Sequence, residues 1–74
     1  MKNQGIFENV RETLPPIISR DHVSEILGGV ISTKTLANLD SEGKGPKRMR
    51  IGRKIVYRTE DLLEWLAART IILN

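Results

Sequence analysis

There is no cysteine in the 74 residues, and histidine, tryptophan, tyrosine and phenylalanine occur once each. With His22 as the only nitrogen or sulfur ligand of its kind, neither a disulfide nor a structural zinc site can be assembled. The missing cysteine fits a reducing, cytosolic compartment. No apolar run reaches transmembrane length, and the opening MKNQGIFENVRE lacks the apolar region of a signal peptide. A cytoplasmic protein with no membrane partner is therefore expected. The sequence also lacks a nucleophile–base pair and a metal-ligand constellation, so neither an enzyme nor a cofactor is expected. A chain this short buries only about 60–65% of its unfolded surface, which bounds it to one small domain with a marginal core.

What the chain does have is charge, unevenly placed. Seven of its twelve basic residues (Lys44, Lys47, Arg48, Arg50, Arg53, Lys54, Arg58) lie in residues 44–58, KGPKRMRIGRKIVYR, with no carboxylate among them. The rest of the chain holds five basic and nine acidic residues, so a net charge of +3 is assembled from +7 and −4. Such segregation is the electrostatic footprint of a polyanion partner.

Residues 1–16 admit two readings, a loosely ordered arm or a short helix over residues 6–13 with Ile6, Val10 and Leu14 in a row. Leu14-Pro15-Pro16 ends either one. Residues 17–74 form the main unit. Ser19 opens a helix with Asp21 in its first turn and Val23, Ile26 and Leu27 as its stripe. Gly28-Gly29 stops it, with Gly28 suited to a left-handed position. Ser32 caps a second helix whose buried edge is Leu36 and Leu39, and Gly43 ends it. Asp40 and Glu42 sit where the helix dipole favours cations. Gly43-Lys44-Gly45-Pro46 is a linker, without the Lys-Ser/Thr of a phosphate loop. Thr59 is placed to cap a last helix, with Glu60 and Asp61 in its first turn and Arg69 near its end. Leu62, Trp65, Leu66 and Arg69 mark one face of that helix, with Leu63 at the margin. The apolar tail Thr70-Ile71-Ile72-Leu73-Asn74 either continues the helix, packs on the core or serves self-association.

Between the second and last helices, two short strands flank Gly52. A two-residue turn would set Ile51 opposite Lys54 and Met49 opposite Val56, with Ile55 and Tyr57 sharing the face of Arg48 and Arg50. A three-residue loop would set Ile51 opposite Ile55 and Met49 opposite Tyr57. Only the second gathers Met49, Ile51, Ile55 and Tyr57 on one apolar face, with Arg48, Arg50 and Arg58 on the other. Because a buried face fixes register, the three-residue loop is expected, with Val56 near solvent.

Helix, turn, helix, basic hairpin and closing helix make a small α+β, mainly α, winged helix-turn-helix. The stretch from residue 17 to 69 resembles the MerR-like domains of phage excisionases and AlpA-type prophage regulators. The resemblance rests on Leu27-Gly28, on Ser32-x-x-Thr35-Leu36, and above all on Arg50-Ile51-Gly52-Arg53-Lys54, Tyr57-Arg58, Glu60-Asp61-Leu62 and Trp65-Leu66. It implies double-stranded DNA as the partner, with the second helix in the major groove and the wing on backbone or minor groove. It further implies an integrase (recombinase) or RNA polymerase as protein partner, in a bacterial or phage setting. In the second helix, Asn38 suits an adenine edge, Thr33, Thr35 or Ala37 a thymine methyl, and Lys34 guanine or phosphate. The backbone end at Ser32 suits a phosphate. Lys47, Arg48, Arg50, Arg53, Lys54 and Arg58 of the wing position the protein through charge. The second helix is poor in cations, so the hairpin is expected to supply most of the affinity. A footprint this small implies a monomer in isolation that acts cooperatively, or with help, on DNA.

Each assignment has a plainer rival. The basic run also suits a solvated strand edge that resists aggregation, or a hairpin that docks an acidic protein partner. Trp65 and Tyr57 read as core, the tyrosine hydroxyl within possible reach of a phosphate. His22 reads as surface.

Overall fold

The computed structural model describes residues 8–73. In chain order come α1 (Glu8–Thr13), β1 (Ile17–Ser19), α2 (Arg20–Ile26), α3 (Thr33–Ser41), β2 (Met49–Ile51), β3 (Lys54–Arg58) and α4 (Thr59–Arg69). The strands form one antiparallel sheet in the order β1-β3-β2, which makes β3 central. The α2–α3 pair, the β2–β3 hairpin and the closing α4 give a mainly helical α+β winged helix-turn-helix. The N-terminal stretch carries a helix, α1, which packs against α4. Ile6 and Asn74, both part of the sequence expectations, lie outside the described residues.

The core is small and aliphatic around one ring. Ile18, Val23, Leu36, Tyr57 and Leu62 form its centre, and Leu14, Leu27, Ile31, Ile55, Trp65 and Leu66 pack against it. These residues come from β1, α2, α3, β3 and α4, so one cluster ties every element of the domain except α1 and β2. Full burial of one such side chain contributes about 1.5–3 kcal/mol, which is why five central residues matter in so short a chain.

Both helices of the pair end in the same way. After α2, Gly28 N–H donates to Glu25 C=O (3.2 Å) and Gly29 N–H to Ser24 C=O (2.7 Å). After α3, Gly43 N–H donates to Asp40 C=O (3.1 Å) and Lys44 N–H to Leu39 C=O (2.8 Å). These are two Schellman closures, and each needs a left-handed residue just past the helix. Gly28 (φ 68°) and Gly43 (φ 74°) supply it. At the start of α3, Ser32 Oγ accepts from Thr35 N–H at 3.1 Å, the cap expected of it.

The hairpin register differs from the expected one. The pairs are Met49 with Val56, Arg50 with Ile55 and Ile51 with Lys54, closed by the two-residue turn Gly52-Arg53. Gly52 has φ 62° and Arg53 a negative φ, the pattern of a II′ turn, whose twist matches that of the strands it joins. The buried-face criterion failed because it assumed one buried face and two strands. Instead β1, which the sequence reading missed, pairs on the far side of β3, with Ile18 opposite Tyr57 and Ser19 opposite Val56. The consecutive residues Val56 and Tyr57 are then both buried, at 5% and 0% exposure, so both faces of β3 are covered. Val56 is core rather than near solvent, while Ile51 and Met49 on the edge strand are exposed.

Smaller corrections follow the same packing. Arg58, not Thr59, occupies the N-cap of α4, and Thr59 Oγ1 instead donates to the carbonyl of Pro15, with Thr59 N–H on Pro16 C=O at 2.9 Å. These bonds join the start of α4 to the proline turn ahead of β1. Ser19 sits at the N-cap of α2, but its hydroxyl pairs with His22 Nδ1 at 2.7 Å and makes no cap. In α4, Leu63 and Ala67 are buried alongside Leu62, so Leu63 is core and not marginal. Thr70 is extended and ends α4, and Ile71, Ile72 and Leu73 are exposed, so the tail neither continues the helix nor packs on the core.

Candidate nucleic-acid interface

Helix α3 has a packed side and an exposed side. Leu36 and Asp40, four residues apart, are buried on its inner side, with Leu39 half-buried. Lys34, Thr35 and Asn38 are exposed, and Thr33 and Ala37 are half-exposed between them. Lys34 and Asn38 therefore lie on the outer side, opposite the packing stripe, with Thr35 and Ala37 on its flanks, whereas Thr33, three residues before Leu36 and seven before Asp40, stands at the margin of the packed side. Ser32 Oγ donates to Thr35 Oγ1 at 2.9 Å and accepts from Thr35 N–H, so that amide is committed to the cap. Lys34 makes no ion pair or hydrogen bond among the described residues.

The cations of the wing fall into two sets. Lys54 Nζ lies 2.9 Å from Asp21 Oδ2 on α2. Arg58 grips Asp61 with two bonds, Nε to Oδ2 at 2.8 Å and Nη2 to Oδ1 at 3.2 Å. Those contacts hold the Asp21 and Asp61 carboxyls below their usual range, each mainly through the hydrogen bond from its partner. Arg48 Nη1 donates to Asp40 C=O at 2.9 Å. By contrast the side chains of Lys47, Arg50 and Arg53 are exposed and make no ion pair or hydrogen bond among the described residues, although the charge of Lys47 still acts on the Asp61 carboxyl. Arg53 is at the tip of the turn and Arg50 on the edge strand β2.

Sequence reasoning missed the group that joins the two halves. Asp40 is only 2% exposed. Its Oδ2 accepts from Tyr57 OH at 2.5 Å and from Arg20 Nη1 at 3.1 Å, while its carbonyl takes Arg48. Tyr57 is thus core, and its hydroxyl is turned inward and not toward any phosphate. Burial, then the bond to Asp40 and its charge, push the Tyr57 phenol far above the ordinary tyrosine value. The signal was present: Asp40 lies four residues after Leu36, on the stripe expected to be buried, where a helix C-terminus disfavours an acid. Trp65 adds a second tie, its Nε1 donating to Lys44 C=O at 2.9 Å, with the Arg69 guanidinium 4.7 Å above the ring.

Among the described residues no cluster of His, Cys, Asp and Glu could hold a metal ion, and no helix is long and apolar enough to cross a membrane. No curated protein and no solved structure matches the chain. A family model described as a helix-turn-helix domain matches residues 18–70, from the second residue of β1 through the α2–α3 pair and the hairpin to the end of α4. The chain belongs to this helix-turn-helix family, a group of excisionase- and AlpA-like DNA-binding domains.

Proposed function

We propose that the protein binds double-stranded DNA without catalysing a reaction, with α3 in the major groove and the β2–β3 wing on the adjacent backbone or minor groove. The observation that carries this reading is the set of four exposed cations that make no ion pair within 4 Å, Lys34 on α3 and Lys47, Arg50 and Arg53 on the wing, in a helix-turn-helix family domain. Ser32, Thr33, Thr35, Ala37 and Asn38 line the same helix, and Asn38 is its best candidate for direct base reading. Arg48, Lys54 and Arg58 are already engaged and contribute less. The work done on DNA is excisionase-like bending near an attachment site, beside an integrase, or regulation of a promoter in a prophage or other mobile element.

Four phosphate contacts give a log–log salt slope of about −3.6, so a fourfold rise in salt should weaken binding about 150-fold. Titration of a labelled duplex across salt concentrations tests this, and footprinting on DNA flanking the reading frame locates the site. Binding to an acidic protein with no measurable DNA affinity at low salt would overturn the reading in favour of a protein-docking hairpin.

A further inference from the structure

The outer half of the wing, β2 and the turn, has little apolar anchorage, while β3 is held in the core by Val56 and Tyr57. All three residues of β2 are exposed, and the hairpin turn Gly52-Arg53 is exposed as well. Besides the packing of the Tyr57 ring in the core, a set of polar ties that converge on one residue places the wing against α3. Asp40 Oδ2 holds Tyr57 of β3 at 2.5 Å, and its carbonyl holds Arg48, the residue before β2, at 2.9 Å. A Cβ added to Gly45, in the linker between them, would stand 2.0 Å from Asp40 Oδ1, so the linker is seated directly on the carboxylate. Arg20 closes the group from α2 at 3.1 Å. A further polar tie between wing and helix pair is Lys54 with Asp21, an exposed pair that solvent screens.

We propose that Asp40 is a positioning residue: without touching DNA, it fixes the wing relative to α3 so that the cations of both engage one duplex together. The inference rests on the DNA-binding reading above. It also makes a prediction of unusual sign. Removing a carboxylate next to a DNA-binding surface should raise affinity if charge alone acted, because the protein becomes more positive. Positioning requires the opposite.

The test compares the wild type with Asp40→Asn, with Tyr57→Phe as a milder variant that changes no charge, and with Leu63→Ala as a destabilised control in α4. Each is titrated with a short labelled mixed-sequence duplex at a temperature where circular dichroism shows it folded. Asp40→Asn should bind roughly tenfold more weakly, with a salt slope shallower by about 2 as wing contacts drop out. Leu63→Ala should match the wild type per folded molecule. Amide hydrogen exchange supplies a reading independent of DNA: in Asp40→Asn and Tyr57→Phe the β2–β3 amides should accelerate more than those of α2. Equal or tighter binding with an unchanged slope, or uniform acceleration across the chain, would overturn the proposal. If the wild type itself fails to bind, the DNA reading falls, and the exchange pattern alone decides whether Asp40 holds the wing.

Discussion

Tyr57→Phe removes a single oxygen atom, and its consequences can be worked from the geometry. The hydroxyl is buried and donates to a carboxylate that is itself 2% exposed. A hydrogen bond to a charged group contributes about 1.5–3 kcal/mol. The loss falls on a carboxylate whose other oxygen, Oδ1, already has no hydrogen-bond partner, so Arg20 alone would remain on the side chain. We expect a loss of about 2–3 kcal/mol, from a total stability of about 4–11 kcal/mol for a domain of this size. Thermal unfolding should shift down by about 8–20 °C. Tyr57 is the only tyrosine, so phenolate absorbance reads this group alone. An unfolded tyrosine ionises near pH 10, whereas the folded phenol is held well above that value. The native state keeps a proton that the unfolded state releases, so stability present below about pH 10 is lost above it, at up to about 1.4 kcal/mol per pH unit. Tyr57→Phe should abolish that portion of the alkaline loss. A phenol that titrates near 10 in the folded protein, or a cost under about 0.5 kcal/mol, would refute the buried Tyr57–Asp40 bond.

Three further predictions probe the elements that frame the interface. Ser32→Ala removes the cap on Thr35 N–H and should cost about 0.5–2 kcal/mol by urea denaturation, with Thr33→Ala as a comparison that leaves the cap intact. Gly45→Ala drives a methyl into Asp40 Oδ1 and should cost about 1–3 kcal/mol, visible also as altered Trp65 emission, since that indole bonds the linker at Lys44. The hairpin register is checked by a pair: Val56→Ala should cost about 2 kcal/mol and Ile51→Ala about 0.5 or less, and the reverse order would restore the three-residue loop.

Local signals carried far in this chain. The serines and glycines that bound α2 and α3 act within a few residues of themselves, so Ser32, Gly28 and Gly43 could be assigned from sequence. The charge bias of residues 44–58 was equally plain. The hairpin register was not, because it depended on β1, a strand of three residues that lies nearly forty positions from its partner. A run of Pro-Pro-Ile-Ile gives no period to recognise. Nor does charge composition reveal pairing: Lys54, Arg58 and Arg53 look alike in the sequence, yet Asp21 and Asp61 occupy two of them and leave the third free.

The sequence by itself determined the order from α2 through α3 and the basic hairpin to α4, and the concentration of positive charge on that hairpin, because caps, turn glycines and charge are local properties. Only the tertiary structure decided which hydrophobic residues of the hairpin are core, which cations stay free, and that Asp40 joins helix to wing. Those depend on distance through space: β1 closing the sheet buries Val56 with Tyr57, and the approach of β3 to α3 makes a carboxylate stable where a lone helix would reject it.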